Sequence, residues 1–275
     1  MAARQRQRHA EEGCKTDMKI GFIGMGNMAQ AIAEGFAKSG KINANDMCAY
    51  APTWDKLVAN SEKIGFVACK SPEAVVEASD IIIMACKPYQ LLSVLTKVGT
   101  ALNGKAIVSV AAGWTFDTFN DVLKDSVRIQ CIMPNTPAMV GEGVMLFEGK
   151  NTLTETELSY IKDLFGSLGI IETLPTDLMR IGGAISGCGP AFMDLIMEAY
   201  ADAAVKYGIG RDMAYRLVSQ TMLGSAKLQQ VTGSHPGVLK DAVCSPKGTT
   251  IRGVSALEEG GLRSTCIKSI DEIMK

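Results

Sequence analysis

From Met18 to about residue 174, short apolar runs alternate with segments whose apolar residues recur at helical spacing. Lys19 to Ile23, Met47 to Tyr50, Asp80 to Ala85, Ala106 to Val110, Val127 to Met133 and Ile170 to Thr173 read as strands. Met28 to Lys38, Trp54 to Ile64, Tyr89 to Val98 and Thr154 to Leu168 read as helices, the last opened by the Thr154-Glu155-Thr156-Glu157 capping pattern. Apolar strands alternating with helices predict a parallel sheet covered on both faces. After Pro175 the strand signal stops. Pro190 to Tyr207, Arg211 to Gln230 and Ser255 to Met274 read as helices, separated by Gly208-Ile209-Gly210, by Gly233 to Gly237 and by Pro246-Lys247-Gly248. The expected fold class is α/β, a doubly wound sheet over 18–175 followed by a smaller all-α domain over 176–275. The helices of that second domain are rich in alanine and methionine. A bundle so small exposes much apolar surface, which predicts packing against a second subunit.

Composition narrows the field. A formal charge of −1 over 275 residues gives no electrostatic footprint for nucleic acid or an acidic membrane, and no apolar run approaches the ~20 residues of a membrane span. The eight cysteines form no CxxC pair, and several sit inside apolar runs, so they read as reduced, buried thiols of a cytoplasmic protein. With only His9 and His235, a histidine-based triad or metal site is nearly excluded, and no metal is expected. Residues 1–17 are polar, with no apolar leader core, and read as a disordered tail.

Candidate chemistry begins at Gly21-Phe22-Ile23-Gly24-Met25-Gly26-Asn27-Met28-Ala29. Gly24, Gly26 and Ala29 fit GxGxxA between an apolar strand and a helix. That is the frame of a Rossmann-type dinucleotide site, with the pyrophosphate on the free N–H groups of the helix N-terminus. The second strand ends in Ala51-Pro52-Thr53, where an NAD site would carry a carboxylate for the ribose hydroxyls. Its absence, with Thr53 and Lys56 nearby as donors, leans towards NADPH, NADH being the second choice. Lys56 reads equally well as a solvated helix residue.

Further motifs then converge. ACKP at 85–88, SVAAG at 109–113, MPNTP at 133–137, SGCGPAF at 186–192 and SPKGTTIRGVSALEEGGLR at 245–263 join GFIGMGNMA at 21–29. Together they make the chain resemble the pyrroline-5-carboxylate reductases, from about Lys19 to the C-terminus. The resemblance implies NAD(P)H-dependent reduction of a cyclic imine, 1-pyrroline-5-carboxylate, to proline in amino-acid biosynthesis, by homodimers that often build decamers. It implies that Ile23, Gly24, Met25, Gly26, Asn27 and Met28 wrap the pyrophosphate and that Ala51, Pro52 and Thr53 face the adenosine ribose. Ala85, Cys86, Lys87 and Pro88 would border the ribose and nicotinamide, and Ala111, Ala112 and Gly113 would lie by the nicotinamide ring. Val243, Ser245, Gly248, Thr249 and Thr250 would hold the substrate carboxylate. Ser245 and Thr250 are the catalytic candidates, with Thr250 hydrogen-bonding near the ring nitrogen. The chain departs from the family at Lys247, where a glycine is more usual, and a glycine there would have supplied positive φ.

Read from the residues alone, the Ser/Thr cluster is more simply a helix N-cap. Asn135 reads equally as a structural turn or a substrate contact, His235 as a surface loop residue, and Cys188 as packing at a helix start. Two competing functions remain. A β-hydroxyacid dehydrogenase or related imine reductase would carry a lysine on the first long helix after the Rossmann domain, but PAFMDLIMEAY at 190–200 has none. A non-catalytic dinucleotide-binding regulator would not need the hydroxyl-rich loop.

Overall fold

The computed structural model describes residues 18–123 and 127–275, so the expectation for the tail 1–17 lies outside the described residues. The described chain forms two compact units, divided between Gly187 and Cys188.

The first unit holds an eight-stranded sheet in the order β3-β2-β1-β4-β5-β6-β7-β8. Its strands are β1 (Ile20–Ile23), β2 (Met47–Tyr50), β3 (Val67–Ala68), β4 (Ile81–Met84), β5 (Ala106–Ser109), β6 (Arg128–Met133), β7 (Gly143–Asn151) and β8 (Gly169–Leu174). The helices are α1 (Asn27–Ser39), α2 (Trp54–Ile64), α3 (Pro72–Ala78), α4 (Pro88–Val98), α5 (Phe116–Leu123), α6 (Glu155–Gly166) and α7 (Met179–Ser186). β4 shows why the strands are continuous apolar runs. All four of its residues are buried, with Ile81 and Ile83 facing one core and Ile82 and Met84 the other. The first core lies under α1, α2 and α6, and its ring stack runs Phe36 on Phe165 at 5.2 Å and Phe165 on Phe147 at 6.0 Å, both edge to face. The second lies under α3, α4 and α5. Helices on both faces make the sheet doubly wound, as the alternation predicts.

Five elements of this unit escape the sequence pattern: β3, β7, α3, α5 and α7. β3 and α3 are short. β7 runs antiparallel to β6, so the sheet is not wholly parallel. The capping pattern at Thr154 is realised: its hydroxyl accepts the Glu157 N–H, and the Glu157 carboxylate accepts the Thr154 N–H. Arg128 on β6 adds a two-pronged ion pair to that carboxylate, with nitrogen–oxygen distances of 2.7–3.1 Å. The first unit extends beyond Pro175 because α7 lies against the sheet, with Leu146 and Leu174 at Gly182 and Met133 at Gly183.

The second unit is all helical, with α8 (Gly189–Lys206), α9 (Arg211–Thr232), α10 (Pro236–Ala242), α11 (Thr249–Glu259) and α12 (Leu262–Met274). The single helix expected over 255–274 is two helices. Gly260-Gly261 interrupts it, and Gly261 takes the left-handed conformation at φ 73°. α10 was also not expected. Pro236 starts it, and the His235 ring Nδ1 accepts the Gly237 N–H at 3.0 Å, which gives that histidine a capping role. The seven described cysteines are free, but only Cys48 and Cys131 are buried. Cys188 is exposed rather than packed.

Candidate dinucleotide edge and hydroxyl loop

The four segments 23–28, 51–53, 85–88 and 111–113 follow the carboxyl ends of β1, β2, β4 and β5. These strands adjoin in the order β2-β1-β4-β5, so the segments meet at one sheet edge where the strand order reverses. Backbone hydrogen bonds join them: the Gly24 N–H donates to the Tyr50 carbonyl at 2.8 Å, Ala85 to Ile23 at 2.9 Å and Val110 to Met84 at 3.0 Å.

Gly24 is dictated by this crowding. Its φ is 102°, and a Cβ would lie 2.5 Å from the Cys86 nitrogen. Gly26 has the opposite surroundings, because a Cβ there would meet no protein atom within 4 Å. Gly26 also precedes α1, whose N-terminus has no side-chain cap and no acidic residue in its first turn. An open cradle facing bare N–H groups at the positive end of a helix suits a pyrophosphate. Buried Ala29 brings α1 close to the sheet.

At the ribose segment, Pro52, Thr53 and Lys56 are exposed. Sequence reasoning missed Lys70, just past β3, whose ammonium lies 5.3 Å from the centre of the Trp54 ring and adds a cation beside this segment. Only recognition of the two-residue β3 would have pointed to it. Lys87 is exposed, and its N–H donates to the Gln90 side chain at 3.2 Å. Burial pushes the neighbouring Cys86 thiol up to about 11, so it is not a thiolate at neutral pH. The loop bearing Ala111, Ala112 and Gly113 is held at its start by Ser109, whose hydroxyl accepts the Ala111 N–H at 3.3 Å. Asn135 is a structural bridge. Its Nδ2 donates to the Ser186 carbonyl at 2.9 Å, and its Oδ1 accepts the Val144 N–H at 2.8 Å.

In the helical unit, Val243, Ser245, Thr249 and Thr250 are exposed around the start of α11. The Gly248 N–H donates to the Ser245 carbonyl at 3.0 Å across Pro246 and Lys247. Lys247 has φ 62°, the one positive φ of a non-glycine residue among the described residues. Proline at the second position and positive φ at the third are the marks of a type II turn. The turn therefore keeps a left-handed corner although the residue is lysine. The N-cap reading of the hydroxyls fails: Gly248 holds the cap position and no side chain caps α11. Among the described residues, the Ser245, Thr249 and Thr250 hydroxyls have no protein partner.

The sheet edge defines a Rossmann-type dinucleotide-binding protein with a helical domain appended. Residues 19–113 match the family model described as NADP oxidoreductase, coenzyme F420-dependent, and residues 176–275 match that for pyrroline-5-carboxylate reductase dimerisation. The chain is 38% identical over 257 residues to the pyrroline-5-carboxylate reductase of Treponema pallidum, covering 92% of this chain and 97% of that one. It is 38% identical over 260 residues to the Escherichia coli protein of the same name, covering 94% and 97%. A crystal structure of Plasmodium falciparum pyrroline carboxylate reductase with NADP bound superposes with a TM-score of 0.85 at 32% identity, covering 93% of this chain and 95% of that one. The chain belongs to the pyrroline-5-carboxylate reductase family.

Proposed function

We propose that this protein reduces 1-pyrroline-5-carboxylate to proline with NADPH, using residues 18–175 for the cofactor and 176–275 for substrate and dimerisation. The observation that carries the substrate half is the start of α11. It combines free hydroxyls on Ser245, Thr249 and Thr250, an uncapped N-terminus and no acidic residue in the first turn. Such a terminus attracts a small carboxylate. NADPH, when bound, supplies the hydride that adds to the imine carbon. Ser245, Gly248 and Thr249 hold the carboxylate and so fix the ring. The Thr250 hydroxyl holds the ring nitrogen as it becomes an amine. A protonated imine is already electrophilic, so orientation supplies most of the rate and no strong protein acid is required. NADPH is favoured over NADH because Thr53, Lys56 and Lys70 border the ribose segment.

A homodimer is supported by the dimerisation-model match and by the helical unit itself, in which only Ala201 and Ala214 are buried. The free thiols support a cytoplasmic setting. The deciding assay follows NADPH oxidation with the pyrroline against a panel of β-hydroxyacids. Turnover with the pyrroline alone is expected, and its absence overturns the reading. A Thr250→Ala enzyme with full activity would remove Thr250 from the chemistry.

A further inference from the structure

Glu148, at 1% exposure on β7, directly follows the apolar run Val144 to Phe147. Its two oxygens engage different elements. One accepts the Phe116 N–H, the first of α5, at 2.8 Å; the other accepts the Thr176 hydroxyl at 2.6 Å. Gln130 on β6 donates to the Glu148 carbonyl at 2.9 Å, so the backbone beneath the carboxylate is also held. Two residues further along β7, Lys150 pairs with Asp117 of α5 at 2.9 Å. β7 therefore grips the start of α5 twice, once in the interior and once at the surface. The interior grip is the stronger, because a buried hydrogen bond is shielded from water whereas an exposed ion pair contributes little.

The grip falls at one end of the loop 110–115. Ser109 holds the other end, and between them Trp114 packs on Phe119 of α5 with ring centres 4.8 Å apart. We propose that Glu148 is a positioning residue for the cofactor loop. By anchoring Phe116 and Thr176 together, it sets the path of Ala111, Ala112 and Gly113 against the reacting ring of NADPH. The proposal rests on the functional reading above for what the loop faces. The anchoring is a property of the protein without cofactor.

The test compares wild type, Glu148→Met and Thr176→Val. Glu148→Met removes both acceptors at similar size. Thr176→Val leaves the Phe116 bond but frees the other oxygen. Amide exchange of 110–116, measured without cofactor, is expected to rise at least about tenfold in Glu148→Met at unchanged overall folding, and less in Thr176→Val. In turnover, kcat is expected to fall about tenfold with a smaller change in the KM for NADPH, because misorientation of the reacting ring costs rate more than binding. The isotope effect with 4-deuterated NADPH should grow as hydride transfer becomes slower. Unchanged exchange at 110–116, or kcat and isotope effect equal to wild type, overturns the proposal. If wild type fails to reduce the pyrroline, the functional reading falls separately. The exchange data, with NADPH titrated by Trp fluorescence, still decide whether Glu148 sets the loop.

Discussion

Between Met18 and Gly187 the chain buries a continuous core on each side of its sheet. Between Cys188 and Lys275 it buries only Ala201 and Ala214. The second stretch still carries many large apolar residues: Leu195, Tyr207, Leu217, Leu228, Val231 and Ile267 are among those left open to solvent. The difference is geometric. A doubly wound sheet offers two faces, and its own helices cover both. Five helices with apolar residues around much of their circumference have no such internal partner. In the proposed homodimer their stability is therefore tied to protein concentration, whereas that of the sheet unit is not.

The largest expected effect separates the two units. Leu217→Asp places a charge on the open face of α9, and an unpaired charge in an apolar interface costs about 3 kcal/mol or more. That is about a hundredfold in association, so light scattering should show the mass falling from dimer to monomer and activity falling with it. Val67→Asp, on the exposed edge of the sheet unit, should stay within about 0.5 kcal/mol of wild type and keep the mass unchanged. The reverse pattern would break the comparison. Next, Phe165→Ala should cost about 3–5 kcal/mol in the sheet unit by urea unfolding, without making that unit's transition depend on protein concentration.

Within the sheet unit, the two glycines of the turn after β1 should separate folding from the proposed cofactor binding. Gly26→Ala meets no protein atom, so its stability should match wild type while NADPH binding weakens about tenfold or more by fluorescence titration. Gly24→Ala should lose stability as well, because its Cβ is driven into the chain at Cys86 at positive φ. A smaller effect is expected in the turn that precedes α11. Lys247→Gly should raise stability by about 1 kcal/mol, because an L side chain is strained at φ 62°; a lower thermal midpoint would contradict that account.

The smallest effect concerns acid. Burial pushes the Glu157 carboxyl up, but Arg128 and the Thr154 donors outweigh it and hold it below the ordinary carboxylate range. A depressed folded-state pKa adds stability above the unfolded value that is lost as pH falls through the folded one. Glu157→Gln should therefore flatten that part of the acid limb of the stability–pH curve.

Much of the sheet unit was legible because burial on both faces writes strands as unbroken apolar runs, Ile81 to Met84 being the clearest. The glycine-rich turn was legible because a tight turn and an open cradle each restrict the residue type. β3 was too short to leave a pattern. β7 went unread although its apolar run, Val144 to Phe147, is as long as Ile81 to Met84. Lys70 and Glu148 stayed unread because both act across strand neighbours that are distant in sequence.

By itself, then, the sequence determined the alternation of elements, the dinucleotide turn and the hydroxyl-rich loop, since each rests on local spacing and on residue types that few conformations accept. Tertiary structure alone decided that β7 runs antiparallel and that the α11 hydroxyls are free rather than capping. It also decided that Lys247 occupies a left-handed corner and that the buried Glu148 side chain holds the end of the loop 110–115. These depend on which groups long-range folding brings within hydrogen-bonding distance, and local spacing carries no record of that.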